Sequence, residues 1–128
     1  MAYINKKTRE EVWEKYGRKC SYCGKDLEYK QLQVDHIKPY WHNLVKGGKD
    51  FKRRNKGEHE VENFNPSCSR CNRWKSTYTI EQFRGEIQKQ LERLRRDSSN
   101  YRLAFDYGMV GEDNSPILFW FEKYVNIK

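Results

Sequence analysis

The sequence predicts a small α+β fold. Its core is two short strands and a helix beside a four-cysteine metal site, with an N-terminal helix before it and a helix-helix-strand extension after it. Three observations predict this. Cys20-x2-Cys23 and Cys68-x2-Cys71 are pairs of identical internal spacing, separated by 44 residues. Two apolar, strand-like stretches, residues 32–37 and 61–65, lie between the pairs. Helical periodicity appears on both sides of them. A chain of 128 residues reads as a single domain, 1–128. With 36% hydrophobic and 34% charged residues its core is small, and such cores are commonly supported by a metal or by disulfides.

In chain order, Thr8 with Glu11 makes a capping-box start for a first helix. Val12, Trp13 and Tyr16 give it an apolar face, and Gly17 is its stop. CSYCGK is a tight cysteine turn. Leu32 to Ile37 is a strand that Pro39 prevents from continuing. Residues 41–62 form a long polar loop, and loops of that length in compact domains tend to be functional. CSRCNRWKS is a turn running into a short helix. Thr79 and Gln82 form another capping box, and Phe83, Ile87, Leu91 and Leu94 make residues 79–97 one amphipathic helix. Ser98 or Ser99 caps a shorter helix ending at Gly108, and ILFWFEKY, residues 117–124, reads as a strand. Residues 12–77 are thus the core and 79–128 its support, with the late aromatics read as core.

The charge is uneven. Residues 1–80 hold 18 Lys/Arg against 10 Asp/Glu, while residues 81–128 hold 8 against 8. A one-sided basic surface suits a polyanion, most commonly nucleic acid. No apolar run approaches the length of a membrane span, and MAYINKKTREE lacks a secretory apolar segment. A reducing, cytoplasmic setting is the expectation, and four cysteines there argue for metal or redox chemistry.

Two CxxC knuckles that use all four cysteines can complete a tetrahedral zinc shell. A four-sulfur site leaves the ion no open position, so a zinc at Cys20, Cys23, Cys68 and Cys71 is structural, one per chain. A pair of disulfides is the competing reading. The zinc then ties the VDHIKP strand to Asn72, which directly follows Cys71. Asp35 and Asn72 offer oxygens to a hard cation such as Mg²⁺, and His36 can take a proton from water. Together they can support metal-assisted hydrolysis of a phosphodiester.

CSYCG, VDHIKP, ENFNPSC and CNRWKS, in this order, resemble the HNH endonucleases, also called ββα-metal or His-Me finger nucleases. The resemblance covers about residues 12–77. It implies a divalent-metal-dependent DNA endonuclease using Mg or Mn, with His36 as general base and Asp35 and Asn72 as ligands. The middle asparagine of the family is most similar to Asn63, which would fix the loop and orient the base; Asn65 is a near rival. Successive strand side chains face opposite ways, so Asp35 and His36 share an ion only if the strand twists, bulges or ends there. Given the nuclease reading, Lys46, Lys49, Lys52, Arg53, Arg54 and Lys56 are phosphate contacts, and Arg73 and Lys75 lie near the scissile phosphate. His42 and His59 read as surface residues, Trp13 and Trp74 as core around the zinc, and Tyr22 and Tyr40 as exposed aromatics. The partner is double-stranded DNA, the chain a monomer or homodimer in a bacterial or phage-infected cell. The alternative is a non-catalytic, zinc-stabilised nucleic-acid-binding module; a redox or purely structural zinc protein is a third reading.

Overall fold

A computed structural model of the chain describes residues 4–38 and 61–127. Its elements run α1 (Lys6–Glu14), β1 (Gln33–His36), β2 (Phe64–Ser67), α2 (Ser69–Lys75), α3 (Ile80–Gln88), α4 (Gln90–Asp97), α5 (Ser99–Asp106) and α6 (Trp120–Ile127). Residues up to 80, with those from 118 onward, form one compact unit; residues 81–117 form a second.

In the first unit β1 and β2 are antiparallel, with Gln33 opposite Ser67, Val34 opposite Pro66, Asp35 opposite Asn65 and His36 opposite Phe64. β2 starts later than its sequence indicates, because Val61–Asn63 forms a 3₁₀ turn ahead of it. α1 is capped by Asn5, whose side chain accepts from the Thr8 amide at 2.8 Å, one turn before the expected capping box. It packs on β2, and Lys15 donates to the Phe64 carbonyl at 2.7 Å. Val12, Leu27, Leu32, Phe64 and Phe119 are buried here, each contributing about 1.5–3 kcal/mol of apolar transfer.

The expected terminal strand is a helix. The Glu122 side chain accepts from the Phe119 amide at 2.9 Å and caps the start of α6. The Trp120 and Phe121 amides donate to the carbonyls of Tyr22 and Ser21, at 3.1 and 2.8 Å. Phe121 and Tyr124 both meet the Tyr16 ring, and Trp120 lies beside Tyr124. These contacts satisfy one helical face, which β propensity alone did not anticipate.

The second unit also departs from expectation. The predicted helix 79–97 is two, broken at Lys89, where the Gln90 side chain takes up the Glu86 carbonyl at 2.9 Å. Ser98 caps α5 as expected, accepting from the Tyr101 amide at 3.0 Å. Phe83 is buried, but Phe105 and Tyr107 are exposed rather than core. Arg84 reaches the Ile117 carbonyl at 2.6 Å, and Glu112 accepts from both Tyr101 and Arg95.

Candidate metal centres and active site

The first CxxC knuckle folds tightly because Gly24 takes a positive φ of 81° and donates to the Cys20 carbonyl at 3.0 Å. Ser21 docks the knuckle on β2, its amide and hydroxyl both donating to the Pro66 carbonyl, at 2.8 and 2.5 Å. The second knuckle is the start of α2: Cys68 is the N-cap, and its sulfur accepts from the Cys71 amide at 3.4 Å. The four sulfurs therefore converge within 4.8 Å of one another, and none is in a disulfide. Cys23 and Cys68 are 3.9 Å apart. Tetrahedral Zn–S bonds require about 3.8 Å between sulfurs, so the donor set can hold one ion of that kind. Hydrogen bonds from Cys71 and from backbone amides bring Cys20 down to about 4, while its bond to Cys20 holds Cys71 up and burial holds Cys23 up. The Arg70 guanidinium is raised by its contacts with Cys71 and Cys23.

Asp35 and His36 end β1. The ladder is regular to His36, so Asp35 faces the buried side with Asn65, and His36 lies half-buried across from Phe64. The imidazole meets that ring edge-on at 5.2 Å. Beyond His36 the chain leaves the ladder, and Asn63 is what holds it: its backbone carbonyl accepts from the Ile37 amide at 2.8 Å. Its side-chain amide accepts from the Lys38 amide at 2.8 Å and donates to the Lys38 carbonyl at 2.9 Å. Asn63 therefore fastens the two residues after His36. Asn65 is fully buried and donates weakly to the Tyr22 hydroxyl at 3.4 Å; its own carbonyl oxygen finds no partner among the described residues.

Lys75 corrects the expectation that it reaches DNA. Its side chain is 0% exposed, and its ammonium lies 3.0 Å from Asp35 Oδ2, itself 5% exposed. It also donates to the His36 carbonyl at 2.8 Å. The reason is helical spacing: on α2, Asn72 and Lys75 are three residues apart and share a face, and α2 packs on β1. Trp74, expected in the core, is 50% exposed, and Arg73 beside it is exposed too. Tyr22, expected at the surface, is 4% exposed and donates to Asp35 Oδ2 at 2.5 Å. Its spacing gave no warning: an aromatic between two cysteines reads equally as surface or core. Trp13 donates to the Leu27 carbonyl at 2.9 Å, with its ring edge-to-face on Tyr29. Burial pushes Asp35 up, against the pull of Lys75 and Tyr22, and pushes Lys75 down, against Asp35. Tyr22 is held well above the usual phenol range by burial and by the Asp35 charge. The oxygens of Asp35 and Asn72 remain suited to a hard divalent cation. Lys52, Arg53, Arg54, Lys46, Lys49, Lys56, His42, His59 and Tyr40 lie outside the described residues.

Residues 20–77 match the family model for HNH endonuclease. That segment contains both knuckles, β1, β2 and α2, and takes in just under half of the chain. No curated protein matches the sequence. Among solved structures, the chain is similar to the crystal structure of the Type II-C Cas9 enzyme from Actinomyces naeslundii, at 22% identity and a TM-score of 0.49. The match covers 84% of this chain and 13% of that one. No helix among the described residues is long and apolar enough to cross a membrane.

Proposed function

We propose that the chain is a divalent-metal-dependent DNA endonuclease whose HNH domain hydrolyses phosphodiester bonds. The observation that carries this reading is the HNH match over residues 20–77, with Asp35 and His36 closing β1 and Asn72 on the helix packed against that strand. His36 is the general base: it takes a proton from the attacking water, and Asn63 fixes the backbone behind it. Asp35 and Asn72 would hold the cation, Mg²⁺ or Mn²⁺, which supplies a Lewis acid for the charge that develops on the phosphate and the leaving oxygen. β1 is regular through Asp35 and His36, so the two side chains leave the strand on opposite faces, and in this reading His36 acts on the water without sharing the ligand shell of the cation with Asp35. The four cysteines carry a structural zinc, which holds both knuckles and so the spacing of β1 and α2. Arg73 is exposed and suited to phosphate contact, as are Lys52, Arg53 and Arg54 by sequence; Lys75 is not in that set. The substrate is duplex DNA, and free thiols suit a reducing compartment.

The test is plasmid nicking with Mg²⁺ or Mn²⁺. His36→Ala is expected to lose about 10²–10⁴ in rate while DNA binding persists. DNA binding without cleavage by the parent protein would leave only a zinc-stabilised binding module.

A further inference from the structure

Resting on the nuclease reading, we infer that Tyr22 and Lys75 are positioning residues: they clamp one oxygen of Asp35 so that its carboxylate meets the divalent cation in a fixed orientation, and Tyr22 makes the cysteine knuckle one jaw of the clamp. Among the described residues, the two donors to Asp35 converge on Oδ2, the Tyr22 hydroxyl at 2.5 Å and the Lys75 ammonium at 3.0 Å. Two donors on one oxygen restrict rotation of the carboxylate and so narrow the directions its other oxygen can take. Partners of this kind orient metal-ligating groups and are worth about 10–100-fold in metal affinity. Lys75 does more than neutralise charge, because it also holds the His36 carbonyl at 2.8 Å. One ammonium thus fixes the carboxylate of one member of the Asp-His pair and the backbone of the other.

The knuckle enters through Tyr22, which lies between Cys20 and Cys23. Its ring is held edge-on by Phe119 and Phe121, with centroids 5.3 and 6.2 Å away. Ser21, next to it, is tied to Pro66, and the Tyr22 carbonyl is tied to the Trp120 amide. The phenol is therefore aimed by the same turn that aims two of the sulfurs. A merely structural role is the rival account. It fits poorly, because a buried ion pair is commonly no more stabilising than apolar groups of the same size.

Tyr22→Phe separates the two accounts, since it removes the hydroxyl and keeps the ring. On the zinc-loaded full chain, Mn²⁺ binding would be measured by calorimetry and nicking rate followed against Mn²⁺ concentration, for the parent, Tyr22→Phe and Asp35→Ala. Tyr22→Phe is expected to keep its zinc and its helix content, to bind Mn²⁺ about 10–100-fold more weakly, and to regain rate at high Mn²⁺. Lys75→Met, where it folds, is expected to weaken Mn²⁺ binding as well. Unchanged Mn²⁺ affinity in zinc-loaded Tyr22→Phe, beside a parent that binds Mn²⁺ and cleaves, overturns the clamp alone. A parent that neither binds Mn²⁺ nor cleaves overturns the nuclease reading and the clamp with it.

Discussion

Lys75 and Asp35 show how little a residue type says without its neighbours. In sequence Lys75 is one more cation on a basic helix; in the fold it is the counter-charge of a buried carboxylate. Removing it should be costly. Lys75→Met leaves Asp35 buried without its counter-charge, a loss of about 3–5 kcal/mol near neutral pH. Burial already raises Asp35 above its unfolded value, and without Lys75 it rises further. An acid raised on folding contributes stability that is complete below its unfolded value and lost as pH climbs through its folded value. The deficit of Lys75→Met relative to the parent should therefore grow as pH is raised above the ordinary carboxylate value of about 3.9. Urea midpoints of both zinc-loaded proteins along that range would show it, and a pH-independent deficit would contradict it. Asp35→Asn combined with Lys75→Met should cost less than the sum of the single changes, because the two groups share one interaction.

Among the elements, the terminal helix is where local preference misled. ILFWFEKY is β-prone by composition, but the same residues at helical spacing put Phe121 and Tyr124 against Tyr16 and leave the first-turn amides of α6 free to bond the knuckle. The break at Lys89 was equally unreadable, as neither Gly nor Pro marks it. Other elements were plain: the Ser98 cap, the short α2 running from CSRCNRWK, and a strand ending before Pro39 all follow from side-chain chemistry that acts within a few residues. Gly24 joins two elements. A β-carbon there meets Trp120 at 3.4 Å in a left-handed backbone with φ of 81°. Gly24→Ala should thus cost about 1–2 kcal/mol and loosen α6 from the knuckle. Thermal melts would register the loss, and unchanged stability would mean that the turn adapts.

For the molecule as a whole, the cysteine site should decide whether the unit that carries residues 20–77 folds. Among the described residues few large apolar side chains are buried in it, and the cysteine cluster brings Cys20 and Cys23 to Cys68 and Cys71. Structural zinc contributes about 10–16 kcal/mol in small domains, so chelation should unfold this unit. Cysteines hold zinc as thiolates, and protons compete for them; zinc release from the proposed site should therefore become easier as pH falls. Zinc release read with a chromogenic chelator alongside far-ultraviolet circular dichroism checks both points. Helix content unchanged by complete zinc removal would show that apolar packing suffices.

From the sequence alone came the sulfur cluster, the two short strands and the following helix, because each is written in spacing and residue type over short distances. Tertiary structure alone decided which way Lys75, Tyr22 and Trp74 face, and that the last aromatic stretch is helical. The physical reason is that burial and pairing depend on groups far apart in the chain: Asp35 takes its partners 13 residues before and 40 after itself, and no local pattern encodes those contacts.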